Sequence, residues 1–287
     1  MAALSVDTCP HCTAEVPSHV RDCVRCGEAV GFPNVRAAAG SAEVAALDRR
    51  VKTAFSSAEA AGYDAVLDDF GQAVATASVA VIARPLMTLQ RIVDNSNLLL
   101  MTFYKELEAG GRTAENNDAD KGRTQIDSLV NPLYYTELHF AALSLNGEGV
   151  RHYGDFQLTL ASSYISSRAT VFEENPFKFG QRHRIVVGGR CPLGYRASWE
   201  NRGKLAQAKL FPQLTKASKP DDYPGVLINQ GGTRGDEDFI EVHIFGTIGV
   251  GTIERIVAYE PKGHERHIWR GLQRKLKSAG IVVEVKL

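Results

Sequence analysis

Four cysteines within the first thirty residues constrain this chain more than any other feature. Cys9-Pro-His-Cys12 and Cys23-Val-Arg-Cys26-Gly27 are two CxxC turns separated by a short span. Each turn is tight enough to aim two sulfurs at one point. Four thiolates then complete the tetrahedral shell that zinc takes in closed structural sites. His11 and His19 read as bystanders, because four sulfurs already fill that shell. Gly27 suits the positive φ that such a turn needs. So short a segment cannot form a core unaided, and metal binding must contribute most of its folding free energy. Residues 1–34 are therefore expected to form a zinc ribbon with Cys9, Cys12, Cys23 and Cys26 as its metal ligands. Arg21, Arg25 and Arg36 lie nearby but are balanced by Glu15, Asp22 and Glu28, which favours docking to a partner over tight DNA binding.

Five cysteines with four in paired spacing fit a reducing compartment, where thiolates bind metal more often than they oxidise. The fifth, Cys191, reads as a small buried hydrophobe. The start Met1-Ala-Ala-Leu-Ser lacks the basic and apolar regions of a secretory signal, so a cytoplasmic location is expected. Apolar runs such as 79–83 and 98–101 are far short of the roughly 20 residues that span a bilayer, so no membrane association is expected. Lysine plus arginine equals aspartate plus glutamate at 33 each. Binding to nucleic acid or anionic lipid must then be local, since no global positive field exists to drive it.

After Gly31-Phe-Pro-Asn, the residues Val44, Leu47, Val51 and Phe55 recur at the spacing of one helix face. A second helical stretch carries Val66, Phe70, Val74 and Val81 until Arg84-Pro85, where proline ends or kinks it. A third covers about 86–107. Gly110-Gly111 opens a polar, breaker-rich stretch to Gly122 that reads as an exposed linker. Residues 41–110 are expected to be a helical region, serving as a spacer or as a homo-oligomerising surface.

From Pro132 the pattern changes to short aromatic and β-branched runs punctuated by glycine and proline. Strands are predicted at 138–145, 156–160, 169–172, 184–187, 225–229, 239–245, 253–258 and 281–285, with helices at 198–211 and 265–277. The fold class is thus α+β: a zinc ribbon, a helical middle segment and, over 130–287, a mixed, mainly antiparallel sheet domain. Lys275, Lys277 and Arg266, Arg270 and Arg274, with His264 and His267, make the last helix locally basic.

The most informative stretch runs from Val226 to Ile248: strand, glycine-rich acidic loop, strand. Alternation places Glu241 and His243 on the face opposite Ile240, Val242 and Ile244. A carboxylate projecting from a strand behind such a loop is placed to act in a cleft.

This arrangement resembles the last catalytic segment of the ADP-ribosyltransferase toxin superfamily, in which a target-recognition loop precedes a strand that begins with the catalytic glutamate. The pattern Glu241-Val-His-Ile-Phe-Gly-Thr-Ile with Ile253-Glu-Arg-Ile-Val downstream is also similar to that superfamily's closing strands. The segments Tyr153-Gly-Asp-Phe-Gln-Leu-Thr-Leu and Arg168-Ala-Thr-Val-Phe-Glu-Glu-Asn-Pro add to the likeness, which covers at most the last 155 residues or so. The resemblance implies a domain of ADP-ribosyltransferase type with NAD as substrate, Glu241 as catalytic residue, and His139, Tyr153, Arg168 and Thr170 at the cofactor-binding positions. His139, Arg151 and His152 compete for the first-strand position, and Phe239 stands where many members carry glutamate or glutamine. Tyr135 and Phe172 are further candidates for stacking on nicotinamide, and Arg184 for the pyrophosphate. A toxin or defence effector acting on a protein or nucleic-acid target follows from the same likeness. Two other readings stand beside it. One is a non-enzymatic nucleic-acid or protein binding module. The other is a metal-dependent nuclease using Asp221, Asp222, Asp236, Asp238 and Glu241.

Overall fold

A computed structural model describes residues 6–95, 99–109, 118–185, 189–233 and 235–286. Its centre is an eight-stranded mixed sheet. From one edge the strands run Val282–Lys286, Ile253–Tyr259, Phe156–Leu160, Val79–Arg84, Leu138–Ser144, Glu241–Phe245, Ala169–Phe172 and Arg196–Ser198. Neighbours are antiparallel except at the first edge, where Val282–Lys286 runs parallel to Ile253–Tyr259. The parallel pair needs a crossover, and the helix Glu265–Ser278 supplies it by packing Trp269, Leu272 and Leu276 inward.

The helix Ser41–Ala61 buries Leu47, Ala54 and Ala58, with Val51 and Phe55 packed against the same core. It ends at Gly62, whose φ of 71° lets its N–H reach the carbonyls of Ala58 and Glu59. The next helix, Asp64–Ala77, buries Leu67, Phe70 and Val74. Here the chain departs from the sequence expectation. The helix predicted to run through Val81 stops at Ser78, whose hydroxyl donates to the Val74 carbonyl. Val79–Arg84 is then a strand in the middle of the sheet. Its β-branched run is buried on both faces, and such a run gains more from sheet packing than from helix propensity. Residues 41–95 consequently share one apolar core with the sheet and with Arg202–Leu210, rather than standing apart as a helical spacer.

Other differences are local. The expected third helix breaks into Leu86–Asp94, a two-stranded pairing of Leu99–Leu100 with Ile248–Gly249, and Phe103–Glu108. The helix Asp118–Val130 occupies the end of the expected linker, whose earlier part lies outside the described residues. Of the predicted strand 184–187, Arg184 instead follows the helix Pro176–Arg182 with a φ of 51°, while Val186 and Val187 lie outside the described residues. The predicted strand 225–229 is largely the short helix Tyr223–Leu227, with only Ile228–Asn229 extended. The strands 138–145, 156–160, 169–172 and 253–258 and both late helices stand within a residue or a few of their predicted bounds.

Backbone approach between helices depends on glycine. A Cβ on Gly203 would lie 2.4 Å from the Gly71 carbonyl oxygen and 3.0 Å from the Ala75 Cβ. Neither atom is the free end of a flexible side chain, so Gly203→Ala is expected to destabilise the fold by about 1–3 kcal/mol. Urea denaturation would measure it, and an unchanged midpoint would show that the two helices can separate without loss.

At the other end of the chain, the hairpin of Val6–Thr8 and Glu15–Pro17 flanks the first CxxC turn, and an isolated bridge between Asp22 and Ala29 flanks the second. Arg36 anchors this module to the helix Pro33–Ala39. Its guanidinium donates to Asp7 Oδ2 at 2.9 Å and to the carbonyls of Val20 and Pro17 at 2.7 and 3.0 Å. No helix among the described residues is long and apolar enough to cross a membrane.

Candidate active site and metal centre

The four N-terminal cysteines converge as their spacing requires. Their sulfur atoms all lie within 4.8 Å of one another, with Cys9 to Cys26 at 3.8 Å and Cys12 to Cys23 at 3.6 Å. Metal–sulfur bonds of about 2.3 Å in a tetrahedron place sulfurs about 3.8 Å apart, so this group could hold a metal ion with little rearrangement. Backbone geometry sets the approach. Gly27 has a φ of 76° and donates its N–H to the Cys23 carbonyl, and Thr13, at φ 58°, does the same to Cys9. His11 and His19 take no part in the group.

The second site lies at the start of the Glu241–Phe245 strand. Register pairs Glu241 with Ala142 on one side and with Phe172 on the other, and pairs His243 with Phe140 and Thr170. Val242 and Ile244 point into the main core, so Glu241 and His243 share the opposite face, as the alternation predicts. Glu241 is buried and lines a cleft together with Arg84, Arg123, Tyr153, Phe103 and Phe140. The cleft measures about 100 Å³ and is partly open to solvent.

The carboxylate of Glu241 is held from two sides. Its Oε1 lies 3.0 Å from His243 Nε2. The other ring nitrogen, Nδ1, is 3.2 Å from the Asn131 amide nitrogen, which can only donate. Nδ1 therefore carries the lone pair, and the ring proton sits on Nε2, donating to Glu241. The imidazole itself is fixed by stacking on Phe172 at 5.6 Å and by the edge of Phe140 at 5.2 Å. Asn34 donates to the carbonyl of His243 at 3.1 Å, tying the first helix to this strand.

On the cleft side, Arg123 Nη2 lies 3.6 Å from Glu241 Oε2, while its Nε bonds to Asp127 one helical turn away at 3.2 Å. Tyr104 donates to the same Asp127 carboxylate at 2.5 Å. Burial opposes the charge on Arg123, but Asp127 and Glu241 outweigh it and hold the guanidinium more firmly protonated than usual. Burial pushes the Asp127 carboxyl upward against the pull of Arg123. Across the cleft Tyr153 donates to Glu237 Oε1 at 3.1 Å, and burial with that carboxylate beside it raises its hydroxyl to about 12. Tyr153 is thus a neutral donor at neutral pH. Glu237 is buried and also forms an ion pair with Lys178 at 3.8 Å, so the end of the acidic loop at Glu237 is pinned against the cleft. Gly154 allows close approach beneath it: at φ 150°, a Cβ there would sit 2.3 Å from the carbonyl carbon of Arg84.

Of the positions expected to bind a cofactor, only Tyr153 lines the cleft. His139 pairs with Ile244 and so faces the core side of the sheet, away from Glu241. It is buried, and burial lowers its pKa to about 3. A histidine kept neutral in the fold takes up a proton more readily when unfolded, where the value is about 6.5. Its contribution to stability is therefore complete above about 6.5 and is lost as pH falls toward 3. Relative to His139→Asn, the parent should lose roughly 2 kcal/mol between pH 6.5 and pH 5, read by urea midpoints. Identical pH profiles would contradict the assignment.

Arg168 lies at the far end of the strand, donating to the carbonyls of Phe245 and, at 3.0 Å, Tyr164. A strand of five residues sets that end roughly 13 Å from Glu241. Thr170 faces Asn34 at 3.4 Å and lies outside the cleft. Arg151 and His152 tie the rim to Gln230. Tyr135 packs edge-on against Tyr104. Cys191 packs partly buried beside Phe172 and Phe179, where burial raises its thiol, as expected of a small hydrophobe.

The acids of the nuclease reading do not converge. Asp238 pairs with Lys209 at 2.6 Å, Asp236 accepts from Thr233, and Asp221 and Asp222 sit in a separate turn. Among the described residues the four cysteines are the only group of this kind that gathers as metal ligands. Sequence reasoning missed Arg84, Arg123, Asp127, Tyr104 and Asn131. The only local signal was the four-residue spacing of Arg123 and Asp127, which marks helix neighbours and nothing more.

In comparisons with known proteins, no family model and no curated protein matches this chain.

Proposed function

We propose that this chain is an NAD-consuming transferase of ADP-ribosyltransferase type, carrying a structural zinc ion in its N-terminal module. The observation that supports the reading is the buried carboxylate of Glu241, which His243 fixes on one side and which lines a partly open cleft on the other. Breaking the bond between nicotinamide and ribose develops positive charge on the sugar, while the bonding electrons leave with neutral nicotinamide. A preorganised carboxylate stabilises that charge without reorganising.

Around it the residue types fit the remainder of such a substrate. A dinucleotide would enter by its nicotinamide end and lie along the cleft. Phe103 and Phe140 offer ring faces, Tyr153 a neutral donor, and Arg84 and Arg123 planar forks for pyrophosphate oxygens. Arg123 would then exchange part of its pairing with Glu241 for phosphate, which leaves the carboxylate freer to face the ribose. An acceptor group on a protein or nucleic acid would attack the sugar carbon from the side of the Gln230–Asp238 loop.

The test is direct: full-length protein is incubated with NAD labelled in the nicotinamide ring, and released nicotinamide is measured. Release that depends on the protein supports the reading, and its absence with candidate protein and nucleic-acid acceptors present rejects it. In the metal module, four thiolates in a tetrahedral array suit zinc better than the hard cations that prefer oxygen. The zinc would be structural, since four protein ligands leave no open coordination position.

A further inference from the structure

We infer that the exposed face of the helix Glu265–Ser278 is a docking surface for the phosphate backbone of double-stranded DNA. The chain as a whole balances its charges at 33 each, yet from Lys262 to Ser278 six lysines and arginines stand against a single acid, Glu265. Two of the six are neutralised locally: Arg266 pairs with Glu260 at 2.9 Å and Lys275 with Asp94 at 2.7 Å. Lys262, Arg270, Arg274 and Lys277 are exposed and have no acidic partner among the described residues. The last three recur at four and three residues, so they rise along one face of the helix at steps of about 6 and 4.5 Å. Like charges at this spacing repel one another, and the fold holds them together only because the opposite face is buried.

The chemistry of that opposite face decides the partner. Trp269, Leu272 and Leu276 are committed to the core, so the helix cannot turn its apolar side into a lipid surface as interfacial helices do. The exposed face carries no Phe, Tyr or Trp on which unpaired bases could stack, only the small imidazoles of His264 and His267, which disfavours single strands. What remains is a linear array of point and fork cations. It fits a stiff linear polyanion, a DNA duplex with one charge per about 1.7 Å of axis. The inference stands independently of the reading of the cleft.

Fluorescence anisotropy with a labelled duplex 20-mer and the full-length protein tests it. Neutralising about four phosphates predicts a slope of log affinity against log salt near −3.6, a weakening of about 10²-fold between 50 and 200 mM salt. The triple variant Arg270→Ala, Arg274→Ala, Lys277→Ala should bind at least tenfold more weakly at 50 mM salt, with a slope reduced by about three. Arg270→Lys with Arg274→Lys, which keeps the charges, should stay within a few-fold of the parent and guards against loss through misfolding. No duplex binding at 50 mM salt would overturn the inference. So would a triple variant that binds like the parent, or tighter binding to a single strand or to phosphatidylserine vesicles than to the duplex.

Discussion

For the proposed NAD-cleaving reaction, Glu241→Gln is expected to lower turnover by about 10²–10³-fold while leaving the fold intact. Glutamine keeps the shape of the side chain and keeps a carbonyl oxygen that can accept from His243 Nε2, which now lies 3.0 Å from the carboxylate. Only the negative charge is lost. That charge matters in the transition state, when the ribose becomes cationic, and much less when intact NAD is bound. The loss should therefore fall on kcat, with KM changed little. Arg123 would retain Asp127 as its partner at 3.2 Å, so the substitution does not strand a buried guanidinium. Equal turnover by parent and variant would remove Glu241 from the chemistry. A variant that loses turnover together with its cooperative melting transition would point to a structural role instead.

Withdrawing the proposed metal should unfold the N-terminal module while sparing the main core. Besides the Arg36 anchor, four converging sulfurs and two short flanking pairings organise residues 6–30, since the buried side chains there are few: Cys9, Val16 and Cys23. Metal binding in comparable four-ligand segments is worth about 10–16 kcal/mol, which exceeds what so small an apolar cluster can supply. A strong chelator, or Cys23→Ser, is accordingly expected to unfold this module and to open it to protease. The remainder should survive, because Asn34 and the helix after it are held by the main core through bonds to Arg168 and His243. Metal analysis of the purified protein together with limited proteolysis would check both halves of the expectation. A metal-free protein whose N-terminal module resists protease would refute it.

How far the sequence could be read differed between the two sites for a physical reason. The four cysteines that could hold a metal are local: each CxxC turn brings its own two sulfurs together, and only a short span separates the turns. The alternation that sets Glu241 and His243 on one face is equally local, because a strand has period two wherever it lies. The convergence of the four cysteines, the late helices and most of the late strands were legible on the same grounds.

The rest of the cleft was not legible, because its residues meet only through tertiary packing. Arg84 looked like the end of a helix since Val74 and Val81 continue an apolar pattern that a short buried strand and a helix share. Its true position follows from strand order, which puts Val79–Arg84 between Phe156–Leu160 and Leu138–Ser144. His139 carried a plausible residue type but the wrong parity: one step along a strand exchanges the cleft face for the core face. Arg123, Asp127 and Asn131 belong to a helix and its end, over a hundred residues from Glu241 in sequence.

What the sequence determined by itself was therefore whatever a few neighbouring residues decide: four thiols around one point, a carboxylate and an imidazole on one face of a strand, cations along one face of a helix. Tertiary structure alone decided which face became a cleft and which partners Glu241 acquired. Those outcomes depend on the order in which distant strands pair, and pairing is driven by burial summed over the whole core rather than by any local pattern.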